Sequence, residues 1–498
     1  FHFTDITFAA GVGDTGDGAG CAWADYDLDG HLDLYVANMH GPNRLYRNLG
    51  GGVFTDVAPA LGVDEPDDDT FQASFFDYDR DGDADLYCAN AHGQYCDQLP
   101  FHNRLYENVG GTFVDVTEAA GVEACVDSMS IGIGDLDGNG WPDLYITNGP
   151  WGNALLLNQG DGTFTQSEVE AGVGSYVMGW GAVFFDADHD GHTDLYVCSG
   201  NAPNRLYRHD GAFPCTDVAT DLGVDLGGFS YTVATADIDD DGDLDLLVQN
   251  ADEPLRLFVN HADPARAWAK FDIVGEGAAR HAIGAVIDVR CGDVHRVREV
   301  VAGCNFKNQN DLVQHVGLAD APVVDEITVV WPGGTTRTMT GHPVGRTWTV
   351  YPPDKLGDAD GDGQRTLADF IHFIDCMTAD GELLPGCEMM DDDGDADVDL
   401  DDLDALLERF DEPVADCNGN GIPDPVEIAS GAAADDDGDG LIDDCDATPA
   451  DLDGDGDVDA ADLATLLAAW GTADANADLD GSGVVDAPDL AMLLADWT

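Results

Sequence analysis

The residue best placed to do chemistry in this chain is aspartate, which recurs at fixed spacing in short glycine-containing loops. Five loops read DYDLDGHLDL from Asp25, DYDRDGDADL from Asp77, DLDGNGWPDL from Asp135, DADHDGHTDL from Asp186 and DIDDDGDLDL from Asp237. Counting the first residue as position 1, side-chain oxygens fall at positions 1, 3, 5 and 9. They belong to Asp25, Asp27, Asp29 and Asp33; Asp77, Asp79, Asp81 and Asp85; Asp135, Asp137, Asn139 and Asp143; Asp186, Asp188, Asp190 and Asp194; Asp237, Asp239, Asp241 and Asp245. Hard oxygens converging within one tight turn, with Gly at position 6 where a side chain would not fit, are suited to Ca²⁺. Position 7, as at His31 or Trp141, offers only its backbone carbonyl. The alternative is a set of solvated acidic turns, which leaves several carboxylates repelling one another. Catalysis fits less well, because a site written five times and saturated by protein oxygens has no open position.

A second set of acidic loops fills the C-terminal third, with twelve positions each and ligands expected at 1, 3, 5, 9 and 12. The first two use Asp358, Asp360, Asp362 and Asp369, then Asp391, Asp393, Asp395 and Asp402. The middle two use Asp416, Asn418, Asn420, Asp424 and Glu427, then Asp435, Asp437, Asp439, Asp443 and Asp446. The last two use Asp451, Asp453, Asp455, Asp459 and Asp462, then Asp478, Asp480, Ser482, Asp486 and Asp489. Both sets together imply about eleven Ca²⁺ sites. Four tail loops run into short amphipathic helices, whose apolar sets are Phe370, Phe373, Ile374, Met377; Leu403, Leu406, Leu407, Phe410; Leu463, Leu466, Leu467, Trp470; and Leu490, Leu493, Leu494, Trp497.

The elements that position the first five loops repeat with them. A strand-like run follows each loop: NRLYRN at Asn43, NRLYEN at Asn103, NALLLN at Asn153, NRLYRH at Asn204 and LRLFVN at Leu255. A third signature, FTDIT at Phe3, FTDVA at Phe54, FVDVT at Phe113, FTQSE at Phe164 and CTDVA at Cys215, completes a unit of four short strands. Such a unit is one propeller blade. The fifth set lacks a following FTD strand, and the unattached Phe3–Thr7 segment is expected to supply it, closing a five-bladed ring over residues 1–262. The abrupt start inside a repeat implies that any secretory signal has been removed.

On these loops and strands, the region resembles the FG-GAP or VCBS repeat family, which includes the integrin alpha-subunit propeller. The resemblance implies a β-propeller whose loops join the first two strands of a blade and bind Ca²⁺ structurally. Residues 263–353 alternate as β-strands and read as a β-sandwich-like domain. The segments ARHAIGAVIDV, REVVAGCNFKNQND, QHVGLAD and VDEITVVWPGG resemble an ASPIC/UnbV domain, which implies secretion and a calcium-dependent matrix or adhesion role. The tail resembles a type I dockerin pair at 354–411, a thrombospondin type 3-like calcium linker at 412–447 and a second dockerin-like pair at 448–498. In dockerins, positions 10 and 11 often contact cohesin, and here Ala460, Ala461, Ala487 and Pro488 carry no hydroxyls. The expected fold is mainly β, with short helices confined to the tail.

Composition sets the outer limits. Nineteen Lys+Arg against 99 Asp+Glu give a formal charge of −80, which excludes nucleic acid and anionic membrane as principal partners. A 44% hydrophobic content excludes a merely disordered acidic chain. No apolar run is long enough to span a bilayer. Twelve cysteines without a CxxC pair fit an oxidising, extracellular or cell-surface setting. Proximity suggests pairing Cys376 with Cys387, Cys417 with Cys445 and Cys291 with Cys304.

Seven bases, Arg266, Lys270, Arg280, Arg290, Arg296, Arg298 and Lys307, concentrate in the middle domain as a solvated face or a docking surface for acidic partners. His281, His295 and His315 show no HxH or HExxH spacing, so neither a metal centre nor a general base is expected of them. The functional expectation is a non-enzymatic secreted calcium-binding scaffold, a filament subunit that assembles with copies of itself through its tail. Alternatives are a carbohydrate or matrix adhesion module anchored to a surface scaffold or cohesin-like protein, with Trp151, Trp180, Tyr176 and Phe229 as a sugar platform, and a propeller glycosidase with paired carboxylates.

Overall fold

A computed structural model describes residues 2–498, apart from 67, 92–102, 125, 150–151, 252, 278–279, 293, 362, 378–382, 410–426, 429–432, 434–441, 443–449, 451, 453–457, 459, 475, 496 and 498. Two compact units emerge, Phe1–Leu356 with Gly381–Asp397, and Gly357–Asp380 with Val398–Thr498.

The first unit begins with consecutive antiparallel sheets of propeller-blade type. They are β1 Gly18–Ala24, β2 Asp33–Asn38, β3 Arg44–Asn48 and β4 Phe54–Asp56; then β5 Thr70–Phe76, β6 Asp85–Asn90, β7 Arg104–Asn108 and β8 Phe113–Asp115. The third and fourth are β9 Ser128–Gly134 to β12 Phe164–Gln166 and β13 Met178–Phe185 to β16 Thr216–Asp217. A fifth sheet holds β17 Ser230–Ala236, β18 Asp245–Asn250 and β19 Arg256–Phe258.

Every aspartate loop is the same hairpin connection between the first two strands. The position-9 Asp opens the second strand opposite the last residue of the first, as in Ala24↔Asp33, Phe76↔Asp85, Gly134↔Asp143, Phe185↔Asp194 and Ala236↔Asp245. Apolar residues between the sheets then stack one blade on the next. Tyr35 and Leu45 of the first share a core with Ala73, Phe75 and Leu86 of the second, and the pattern continues to Val233, Leu246 and Val248 of the fifth. Each fully buried Leu or Tyr contributes about 1.5–3 kcal/mol, so the stack is held by its own packing.

The expected ring closure is not observed. Residues 3–6 form no strand, and the fifth sheet has three strands. Asp14 accepts hydrogen bonds from Asn38 and Arg44, which pins the N-terminal stretch beside the first sheet. Leu247 and Leu257, which occupy the places of the buried Tyr35 and Leu45, stay 40% and 50% exposed on the far face of the fifth sheet.

The middle domain forms two sheets, β20 Ala267–Ile273 between β23 Gln314–Ala319 and β26 Thr347–Val350, and β21 Val286–Cys291 between β22 Val294–Glu299 and β24 Val323–Val330, with β25 Thr336–Pro343 at the edge. The segment between β22 and β23 crosses the innermost strand of all five preceding sheets. Trp23 N–H donates to Ala302 O (3.0 Å), Ser74 Oγ to Gly303 O (2.8 Å), Asn305 N–H to Ile131 O (2.9 Å) and Ala182 N–H to Asn305 Oδ1 (3.0 Å). Asn308 Nδ2 donates to Val233 O (2.8 Å), and Asp311 N–H to Thr235 O (3.2 Å). Gly303 is required there: its φ is +107°, and a Cβ would lie 2.5 Å from Ala22 Cα.

Cys376 and Cys387 are disulfide-bonded, whereas Cys291 and Cys304 are free thiols. Cys291 ends β21 against Val323 O, while Cys304 lies in the crossing segment near Asn310, so the fold holds the two apart. Cys417 and Cys445 lie outside the described residues.

Among the described residues, the regular elements of the second unit are helices. Helices Ala460–Ala468 and Ala487–Ala495 bury Leu466 and Leu493 in a small core with Val458 and Val485, and Leu463 and Leu490 pack against it. Leu467, Trp470, Leu494 and Trp497, expected on the buried faces, are exposed instead, because one row per helix fills so narrow a core. In helix Leu367–Cys376, Phe370 and Phe373 are buried, Ile374 is half-buried and Met377 is exposed. Leu403 and Leu406 of helix Leu400–Glu408 are buried, and nothing is described of the Leu407 and Phe410 side chains.

Candidate metal centres

The loop backbone is folded by its own carboxylates. At position 1, Oδ2 of Asp25, Asp77, Asp135, Asp186 and Asp237 accepts the N–H of the position-6 glycine at 2.8, 3.0, 3.0, 2.8 and 2.9 Å. At position 9, each Asp accepts twice, once from the position-2 N–H and once from the end of the third strand. Asp143 takes Leu136 N–H and Asn158 N–H, both at 2.8 Å, and Asp33, Asp85, Asp194 and Asp245 repeat the arrangement. Position 9 is therefore a structural staple whatever else it holds.

What remains points inward. Asp25, Asp27 and Asp29 gather with oxygens within 4.8 Å of one another, as do Asp77, Asp79 and Asp85; Asp135, Asp137 and Asp143; and Asp186, Asp188 and Asp194. Asp135, Asp186 and Asp237 each bury Oδ1 without a hydrogen-bond partner, as Asp27 and Asp79 do in the first two loops. Burial, with neighbouring carboxylates adding to it, drives the Asp33, Asp77 and Asp186 carboxyls up to about 7. Asp85, Asp143 and Asp194 are pushed well above the carboxylate range for the same reasons. Dehydrated, mutually repelling oxygens aimed at one point fit a hard divalent cation.

In the second unit, Asp358 Oδ2 takes Gly363 N–H at 2.9 Å while its Oδ1 is buried and unpartnered. Asp478 Oδ2 takes Gly483 N–H at 2.7 Å. The closing residues Asp369, Asp462 and Asp489 are fully buried and accept loop N–H groups at 2.7–3.3 Å. Asp402 accepts Asp399 N–H at 2.9 Å, and within the first unit Asp391 accepts Gly394 N–H at 2.8 Å. The positions Asp362, Asp416, Asn418, Asn420, Asp424, Asp435, Asp437, Asp439, Asp443, Asp446, Asp451, Asp453, Asp455 and Asp459 lie outside the described residues.

The middle-domain bases turn out to serve the chain itself. Lys270 Nζ pairs with Asp237 Oδ2, and Arg266 Nη1 reaches Asp188 Oδ1 at 3.1 Å. Burial holds Arg296 and Arg298 below the usual arginine range, opposed by the charges of Asp135 and Asp186. Arg290 pairs within its own sheet with Asp288. Of the seven, Arg280, Arg290 and Lys307 stay exposed, and Lys307 Nζ lies 5.2 Å from the centroid of the Phe306 ring.

Sequence reasoning missed the asparagine that ends the third strand. Asn108, Asn158 and Asn260 each donate Nδ2 to the position-2 carbonyl of the preceding loop, Tyr26, Tyr78 and Ala187, at 2.7, 2.8 and 2.8 Å. The recurring final Asn of the NRLYRN run was the signal. Of the aromatic candidates, Trp180 clusters with Phe229, Tyr231 and Phe306, Tyr176 is exposed, and Trp151 lies outside the described residues. His295 pairs with Asp288 at 2.9 Å and His281 approaches Asp272 at 3.9 Å, while His315 is buried.

Residues 25–88, 77–146, 135–197 and 186–248 match the FG-GAP-like repeat, 275–357 the ASPIC and UnbV domain, and 449–495 the dockerin type I domain. The chain is similar to cartilage acidic protein 1 of Mus musculus, 27% identical over 267 residues, covering 48% of this chain and 41% of the relative. The Homo sapiens protein is likewise 27% identical over 267 residues, covering 48% and 40%. The chain thus spans about two fifths of the length of the curated relatives it matches. A solved structure of BBS1N in complex with ARL6DN covers 48% of this chain and 61% of its own at 10% identity, with a TM-score of 0.31. No described helix is long and apolar enough to cross a membrane.

Proposed function

We propose that this chain, which joins FG-GAP-like repeats to an ASPIC and UnbV domain and a dockerin type I domain, is a non-enzymatic calcium-binding scaffold or adhesion protein of the extracellular space or cell surface. One observation carries the reading: in every one of the five blade loops a carboxylate oxygen at position 1 or 3 is buried with no protein partner. Ca²⁺ held by positions 1, 3, 5 and 9 neutralises that charge and ties the first two strands of each blade together. In the tail, the loop oxygens at positions 1, 3, 5, 9 and 12 hold Ca²⁺ against helices whose own core is small. Similarity to cartilage acidic protein 1 supports the matrix-type setting.

Attachment is assigned to residues 448–498, docking onto a cohesin-like partner. Ala460, Ala461, Ala487 and Pro488 replace hydroxyls at the contact positions and select a partner with a more apolar surface. With Arg266, Lys270, Arg296 and Arg298 engaged inside the chain, a self-assembling filament loses the support that charge complementarity gave it. Equilibrium dialysis with radioactive Ca²⁺ tests the reading: several ions bound per chain support it, and one or none overturns it. A cohesin panel probed with the full chain in Ca²⁺ and in chelator tests the attachment, which is refuted if no cohesin is retained in Ca²⁺.

A further inference from the structure

Three groups that the aspartate-loop pattern does not require meet where the fourth and fifth loops face the middle domain. His189 is position 4 of its loop, where the other loops carry Leu28, Arg80, Gly138 and Asp240, so the turn itself has no need of imidazole. Asp243 is position 7 of the fifth loop, where a backbone carbonyl alone is expected to serve. His315 comes from β23, 126 positions after His189.

The fold buries all three, at 1%, 8% and 6% exposure for His189, Asp243 and His315. The two imidazole rings lie 5.0 Å apart between centroids, and His189 Nε2 is 3.4 Å from Asp243 Oδ1. The other carboxylate oxygen, Oδ2, is fixed by Ala262 N–H at 2.5 Å, which holds Oδ1 toward the histidines. His189 Nε2 and both nitrogens of His315 have no hydrogen-bond partner. The Gly242 backbone carbonyl lies close enough to both rings to act on each as a weak acceptor. Lys270, the nearby ammonium, is already paired with Asp237.

Buried polar nitrogens are ordinarily satisfied by well-formed hydrogen bonds, and here three lack one at a single point beside a carboxylate oxygen. Two neutral imidazoles, one carboxylate and a carbonyl form a compact mixed nitrogen and oxygen donor set. That set suits a four-coordinate borderline ion, whereas Ca²⁺ takes six to eight oxygens. We propose that His189, His315 and Asp243 bind one Zn²⁺-class divalent ion, joining the fourth and fifth blade loops to the middle domain at a site separate from the oxygen-only loops. The inference stands whether or not those loops hold Ca²⁺.

The test uses the full chain in excess Ca²⁺, stripped with a zinc-selective chelator and titrated with Co²⁺ as the spectroscopic probe. Visible ligand-field bands that saturate at one Co²⁺ per chain and are abolished by one equivalent of Zn²⁺ are expected. His315→Gln and Asp243→Asn are each expected to weaken Co²⁺ binding by about 10–100-fold or more. His189→Leu installs the side chain that position 4 of the first loop already carries at φ +56°, close to the +59° of His189, so this variant keeps the loop fold. It is expected to lose the bands while unfolding at the parent's temperature in Ca²⁺. His209→Gln, at a buried histidine whose ring packs on His192, is expected to leave them unchanged. Absence of bands in the parent chain overturns the proposal. So does their persistence in both His189→Leu and His315→Gln, or their loss only in His209→Gln.

Discussion

Replacing Asp143 by Ala separates the structural work of position 9 from its part in cation binding. Asp143 is fully buried, and its two oxygens accept Leu136 N–H and Asn158 N–H at 2.8 Å each. The substitution strands both donors in a dry hairpin. An unsatisfied buried donor costs about 1–3 kcal/mol, so the pair together costs about 2–6 kcal/mol. That loss belongs to the backbone and is expected with Ca²⁺ present or chelated. Asp137→Asn is the contrast: Asp137 is exposed and serves chiefly its own turn through Asn139 N–H at 3.1 Å, so its loss is expected to appear only in Ca²⁺. The assay is hydrogen exchange of the third sheet in each condition, read with denaturant midpoints followed by tryptophan fluorescence. If Asp143→Ala matches the parent in chelator, the staple contributes nothing and the reasoning from its two hydrogen bonds is wrong.

Glu65 is buried against Tyr106, Asn90 and Thr70, and desolvation pushes its carboxyl up to about 7 from an ordinary 4.5. Folding therefore favours its protonated form: the stabilisation is full below about 4.5 and is lost as pH rises through about 7. Glu65→Gln is expected to flatten stability against pH over that window and to gain at neutral pH, and parallel parent and variant curves would refute this. In the tail, Leu466→Ala is expected to cost about 2–5 kcal/mol, while Leu467→Ala, at an exposed position, stays within about 0.5 kcal/mol. Exchange protection of the last two helices reads both, and equal effects would contradict the one-row core. Gly303→Ala drives a Cβ onto Ala22 at a left-handed φ, so limited proteolysis of the crossing segment is expected to speed up, and unchanged cleavage would remove its role as the hub of the five sheets.

Local rules made much of this protein legible. A hairpin loop with aspartates at fixed positions sets its own turn and the first residue of the next strand, so the five loops and their strands follow from windows of about ten residues. The apolar rows of the last two helices were legible for the same reason as far as Leu463, Leu466, Leu490 and Leu493. Their width was not, because how many rows a helix buries depends on what lies opposite.

Sequence alone left undetermined every contact that joins distant windows. Ring closure looked complete by counting strands, yet Asp14 ties the N-terminal stretch to the first sheet and leaves Leu247 and Leu257 uncovered. The basic run looked like an outward surface until the chain turned Arg266 and Lys270 onto Asp188 and Asp237. Proximity in sequence suggested a Cys291–Cys304 bridge that the crossing segment prevents. His189 and His315 carry no shared motif, and only the docking of β23 against the fourth loop brings their rings together. The aspartate loops are written in the sequence because short-range geometry is repeated there. What those loops face was decided by the tertiary structure, since long-range packing leaves no periodic trace along the chain.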